Sequence, residues 1–242
     1  MLSGEELLLQ KIAIHGILPN LAKAEAELEF VQQFQSDDEA YVATDEEAIL
    51  ALSKKFNIKE EKELNIWKNQ HLLSNNDRLF LEYAHYISKR NFVLNKLLSG
   101  TGESLFLKYK DRLDRVLYRL IRVEEEDLAQ HLYYSIESSE KDFGFAAQEY
   151  SCGPEAKTQG IIGPVDLTTP HPEIAARLRT ASPGKIFKPF VADNWFVLVK
   201  LEYRFDSEYD DKTKEFLGGL LLGSKSNPIA KERVAIYAKN EQ

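Results

Sequence analysis

Apolar positions along the first 115 residues recur at spacings of three and four, a period that predicts helix after helix. Leu7, Leu8, Ile12, Ile14 and Ile17 start one helix that Gly16 and Pro19 interrupt, and Leu21, Leu28, Phe30, Val31 and Phe34 resume the stripe. Thr44 with Glu47 makes a capping box ahead of Ile49, Leu50, Leu52 and Phe56. A further helix is expected near Glu60 to Leu73, with Leu64, Ile66 and Trp67 as its apolar members. Asn76 or Asp77 can cap a longer one through Leu98, which Gly100 and Gly102 end. Ser104 to about Leu113 gives one more helix before the period changes.

Leu117, Tyr118, Leu120, Ile121 and Val123 form a β-rich run, and acidic Glu124 to Asp127 then suit a helix N-terminus. Leu128, His131, Leu132, Ser135 and Ile136 continue as an amphipathic stripe. Phe143, Phe145, Ala146, Ala147 and Tyr150 recur at helical spacing until Ser151, Gly153 and Pro154 break the helix, and Gly160 and Gly163 bracket a short apolar run. His171 to Ile174 leads into a short helix ending at Ser182-Pro183-Gly184, and Trp195 to Leu201 reads as a final strand. Residues 209–222 and 228–238 look like two helices separated by a turn from Gly223 to Pro228.

Composition narrows the class. The 242 residues are 43% hydrophobic and 29% charged, as in a globular chain with room for two cores. Residues 1–115 carry 15 basic and 19 acidic side chains, 116–205 carry 10 and 13, and 206–242 carry 6 and 7, so no segment is a basic footprint for nucleic acid. Glu5 and Glu6 stand where a secretory signal would be positive, and no apolar run approaches a membrane span, so neither export nor membrane insertion is expected. The single Cys152 cannot form an internal disulfide, which is compatible with a reducing cytoplasm, the expected compartment. His15, His71, His85 and His131 stand alone without a second ligand one helical turn away, so no metal or cofactor is expected.

The stretch FGFAAQEYSCGPEAKTQGIIGPV at 143–165 places a helix, a Ser-Gly-Pro loop and a Gly-flanked strand in an order that resembles the parvulin prolyl isomerases. The resemblance runs over about 116–205 and begins at Arg119-Leu120-Ile121-Arg122-Val123, where that family usually has Arg-His-Ile-Leu-Val. Residues 108–123 and the helical run before them are similar to the N-domain of SurA and trigger-factor chaperones and to an isomerase-like family found in cyanobacteria. It implies an α+β fold: a helical chaperone-like domain at 1–115, a parvulin-like domain at 116–205 with a small antiparallel sheet among helices, and a helical tail at 206–242 whose helices pack back on the first part.

At the family's catalytic positions this chain departs from it. The first-strand histidine falls on Leu120, the Cys or Asp after Tyr-Ser falls on Gly153, the last-strand histidine falls on Val197, and the Asp of Gly-Asp-Leu-Gly falls on Ile161. Cys152, one position away, is either a replacement for the missing Cys or Asp or a free half-buried thiol. The apolar seat for a proline ring falls on Ile162, Pro170 and Ile174, and the polar residue near the last strand on Asn194. His171, between Pro170 and Pro172, is either an exposed turn residue or a hydrogen-bond donor to a bound peptide. Phe187, Phe190, Trp195 and Phe196 are either core or, where exposed, anchors for an extended peptide.

Rotation about an Xaa-Pro bond breaks no covalent bond, and its barrier of about 18–20 kcal/mol arises from amide resonance. An apolar seat can favour the less dipolar twisted amide by differential binding even without acid–base groups. The expectation is a prolyl isomerase of parvulin type, weak because its polar groups are replaced, acting on proline-containing protein or peptide clients. The alternative is a non-catalytic peptide-binding chaperone or adaptor on the same fold.

Overall fold

The computed structural model describes residues 11–239. The beginning of the first expected helix, with Leu7 and Leu8, lies outside the described residues. By internal contacts the chain falls into two units, residues to Glu103 together with those from Asp210, and Ser104–Tyr209. No helix among the described residues is long and apolar enough to cross a membrane.

The first unit is all helix. It contains α1 (Leu18–Gln33), α2 (Asp45–Lys55), α3 (Glu61–Gln70), α4 (Asp77–Leu98) and α9 (Asp211–Lys239), with most of the second unit's elements between the last two in sequence. Local chemistry starts these helices where the sequence places them. Glu47 N–H donates to Thr44 Oγ1 at 3.3 Å while Thr44 N–H donates to Glu47 Oε2 at 2.9 Å, and Asn76 Oδ1 accepts from Leu79 N–H at 3.0 Å. Val31, Val93, Leu94 and Leu222 bring α1, α4 and α9 to one core, and Ala48, Leu52, Trp67, Phe80 and Ala84 fill a second. Ile66, one of the expected apolar members of α3, is exposed.

The tail corrects the reading of two helices. Residues 211–239 form one helix with Pro228 inside it, and no turn separates Gly223 from Pro228. Proline removes one helical N–H but keeps a helical φ, so packing can hold the helix through it. Leu217, Leu222 and Ala230 are buried, and Gly218 lets α9 approach so closely that an added Cβ would lie 3.0 Å from that of Leu94. Arg233 also pairs with Glu29 of α1 at 2.5 Å. As the chaperone-like resemblance implies, the tail packs on the helices of the first part.

The second unit is built on a four-stranded antiparallel sheet in the order β2-β1-β4-β3, with β1 (Arg115–Val123), β2 (Ile161–Asp166), β3 (Phe190–Ala192) and β4 (Trp195–Phe205). Around it lie α5 (Gly102–Leu113), α6 (Glu126–Glu137), α7 (Phe143–Tyr150), a 3-10 turn at Pro154–Thr158, and α8 (Pro172–Thr180). The fold is therefore α+β. Alternation along the central strands sends Val116, Tyr118 and Leu120 to one face with Val197, Val199 and Leu201, and Ile121 and Val123 to the other. Helix α8 covers the first face through Ile174 and Leu178; α6 and α7 cover the second through Leu132, Ile136, Phe143 and Ala146. Phe145, grouped with these by spacing, is exposed, because only Phe143, Ala146 and Ala147 of α7 meet the sheet. Helix α5 is fastened to the same unit: Asp111 accepts from Arg179 of α8 at 2.7 and 3.0 Å, and Asp114 accepts from the Ser207 N–H and hydroxyl at 2.8 and 2.7 Å.

Candidate functional site

The α8-covered face of the sheet gathers four of the residues singled out from sequence. Leu120 lies in the middle of β1 opposite Val199, Val197 of β4 pairs with both Arg122 and Phe190, and Ile174 sits in the first turn of α8. Leu120, Val197 and Ile174 are 4%, 3% and 4% exposed and belong to one apolar cluster, against which half-buried Ile162, Phe187, Phe190 and Trp195 pack. Leu120 and Val197, the positions where the resemblance would place histidines, are hydrocarbon that is already covered.

The remaining predicted residues lie around this cluster. Ile161 is exposed and pairs with Arg119, and Asn194 is exposed beside Asp193 at the β3–β4 turn. Pro170 is half-buried ahead of α8. His171 is also half-buried and caps α8: its Nδ1 accepts from Glu173 N–H at 3.2 Å, and its Nε2 lies 3.2 Å from Asp193 Oδ1. Both ring nitrogens are thus engaged within the protein. Cys152 is exposed, its Sγ 3.9 Å from the Tyr150 carbonyl, and is not among the cluster residues.

Gly153 has a steric cause. Glu155 is 4% exposed yet charged, held by Arg122 through Nε–Oε1 at 2.8 Å and Nη2–Oε2 at 2.9 Å, while the Ser151 hydroxyl donates to Oε1 at 2.6 Å. Ser151 Oγ in turn accepts from the Arg122 N–H at 3.1 Å, and the Cys152 N–H donates to the Arg122 carbonyl at 2.9 Å. A Cβ at position 153 would collide with both Glu155 carboxylate oxygens and with Arg122 Nε. The space beside the loop where the family carries Cys or Asp is filled here by an ion pair. Burial pushes the Glu155 carboxyl upward, but hydrogen bonds from Arg122 and Ser151 more than offset it, and the net position is below that of a free glutamate.

One polar group does reach the cluster, and it was missed from sequence. Tyr118 lies two positions before Leu120 on the same face, 3% exposed, and its phenol is pushed up to about 12 by burial. The hydroxyl therefore keeps its proton at neutral pH and can donate a hydrogen bond. Period-two alternation from Leu120 was the signal that could have found it. Arg122 shares the same parity, but its partner Glu155 is 33 residues away and no local pattern joins them. Among the described residues no group of three or more His, Cys, Asp or Glu side chains is placed to hold a metal ion.

Residues 118–203 match the Rotamase family, described as a PPIC-type PPIASE domain. Among solved structures, the peptidylprolyl isomerase PrsA of Bacillus anthracis aligns at a TM-score of 0.42 and 16% identity, over 91% of this chain and 96% of that one. PrsA of Bacillus cereus aligns at 0.43 and 18%, over 99% and 88%. A SurA-like chaperone of Campylobacter jejuni aligns at 0.38 and 14%, over 90% and 92%. No curated protein matches the chain. Residues 118–203, which carry the face built on Leu120, Ile174 and Val197, are thus similar to the PPIC-type PPIase domain of the Rotamase family.

Proposed function

We propose that this protein binds proline-containing segments of protein or peptide clients through the α8-covered face of its PPIC-type domain and turns over the Xaa-Pro bond slowly. The observation that carries the reading is the set of half-buried Ile162, Phe190 and Trp195 packed against the Leu120, Ile174 and Val197 cluster within a domain of this family. An apolar seat stabilises the twisted amide relative to the planar one, because twisting reduces the amide's dipole. Tyr118 supplies a neutral donor within that cluster, which could hydrogen-bond the client carbonyl once the peptide is seated. With hydrocarbon at the positions of both histidines, acceleration comes from binding and a single hydrogen bond.

The test is NMR exchange spectroscopy on a panel of Xaa-Pro peptides with the full chain. Cis–trans exchange cross-peaks that weaken in Ile162→Glu support the reading; an absence of exchange at saturating protein overturns it. The buried state of Leu120 and Val197 favours a second reading, a peptide-holding chaperone on the same fold, whose signature is line broadening of the peptide without exchange.

A further inference from the structure

Between α8 and β3 the chain runs beside β4, with Ile186 bridged to Lys200 and the Phe187 N–H donating to the Val199 carbonyl at 2.9 Å. A cavity of about 390 Å³ opens on this run, lined by the cations Arg177, Lys185 and Lys188 and by the rings of Tyr133, Phe187 and Phe190. No carboxylate lines it, although residues 116–205 carry 13 acidic side chains against 10 basic ones. The two nearby acids are each bonded to a residue that lines it. Glu173 is held by Arg177 at 2.7 Å, and Glu137 accepts the Tyr133 hydroxyl at 2.6 Å. The Arg177 guanidinium also lies 3.7 Å from the Phe190 ring centre, which fixes it at the cavity wall. Lys185 and Lys188 are exposed, and among the described residues neither has a carboxylate partner.

We propose that this cavity is a subsite for an acidic residue of an extended client, with an apolar neighbour of that residue lying on the aromatic wall. Charge complementarity selects the occupant: the two exposed ammonium groups of Lys185 and Lys188 line a space that Tyr133, Phe187 and Phe190 also line, beside a guanidinium already paired with Glu173. Phe187 and Phe190 belong both to this cavity and to the residues packed on the Leu120 cluster, so an acidic side chain here lies within a few residues of a seated proline. Beside it, β3 is an edge strand of three residues, the element along which an extended peptide can run. The proposal rests on the client-binding reading above and names its client class: segments with Asp or Glu beside an apolar residue.

The experiment uses the full chain and two proline-free peptides, acetyl-Ala-Glu-Phe-Glu-Ala-amide and acetyl-Ala-Lys-Phe-Lys-Ala-amide, followed by amide-resolved NMR titration. The acidic peptide is expected to bind about tenfold tighter than the basic one, a preference that falls to about twofold in Lys185→Gln/Lys188→Gln and shrinks in high salt. Its shifts are expected at the amides of residues 185–190. Equal affinities, shifts elsewhere, or a preference that survives in the double variant would overturn the assignment. Exchange spectra of an Xaa-Pro peptide on the same samples separate the two claims. Acidic preference without exchange keeps the subsite and removes the isomerase reading, and exchange without acidic preference does the reverse.

Discussion

Replacing Glu155 with alanine removes one end of the buried Arg122 ion pair, and the structure sets the size of the loss. The carboxylate takes both guanidinium hydrogen bonds and the Ser151 hydroxyl, so the variant leaves Arg122 and Ser151 without their acceptor. Breaking a buried pair from one side costs about 3–5 kcal/mol. Arg122 keeps 30% of its side chain in water, which places the expected loss at or just below the bottom of that range, about 2–3 kcal/mol. The double variant Arg122→Met/Glu155→Leu removes both charges and is expected to lie within about 1 kcal/mol of the parent. Urea unfolding followed by tryptophan fluorescence reads this out: the chain has two tryptophans, and in a Trp67→Phe background Trp195 alone reports on the sheet unit. The pH dependence has a fixed sign. The folded carboxyl lies below the free value of 4.5, so its contribution is complete above that value and disappears as pH falls through the folded value. The stability gap between the parent and Glu155→Gln should therefore narrow as pH falls below 4.5. A loss below about 0.5 kcal/mol in Glu155→Ala, or a gap that ignores pH, would refute the reasoning.

Tyr118→Phe should leave the fold intact and slow residual Xaa-Pro exchange by about two- to tenfold, since it removes one neutral hydrogen bond; the check is the exchange rate at matched peptide saturation. Pro228→Ala restores a helical N–H inside α9 and should raise the stability of the helical unit by about 1–3 kcal/mol, read by circular dichroism in urea. Thr44→Ala removes one half of the capping box and should lower stability of the same unit by about 1 kcal/mol, with added amide exchange confined to the first turn of α2.

Helix starts were legible because each rests on residues three apart. Thr44 and Glu47 meet wherever the chain turns helical between them, and Asn76 meets the Leu79 N–H in the same way. Strand β1 was legible from its β-rich composition, and its alternation told which residues share a face. The cluster of Leu120, Ile174 and Val197 was legible only through resemblance to the parvulins, since 54 and 23 positions separate its members and no local period links them. Pro228 misled, because a local signal for a helix stop competes with the burial of Leu217, Leu222 and Ala230 that only the packed unit supplies.

The sequence by itself determined the helices of the first part, strands β1 and β4 and their order, because these follow from short-range periodicity and residue identity. Tertiary structure alone decided what occupies the candidate site. It set Glu155 on Arg122 so that a Cβ at position 153 would meet their side-chain atoms, buried Tyr118 within the candidate cluster, and gathered Arg177, Lys185 and Lys188 around one cavity. Pairings of this kind depend on which sheet face and which neighbouring element a side chain meets, and that is fixed only when distant apolar stripes are buried against one another.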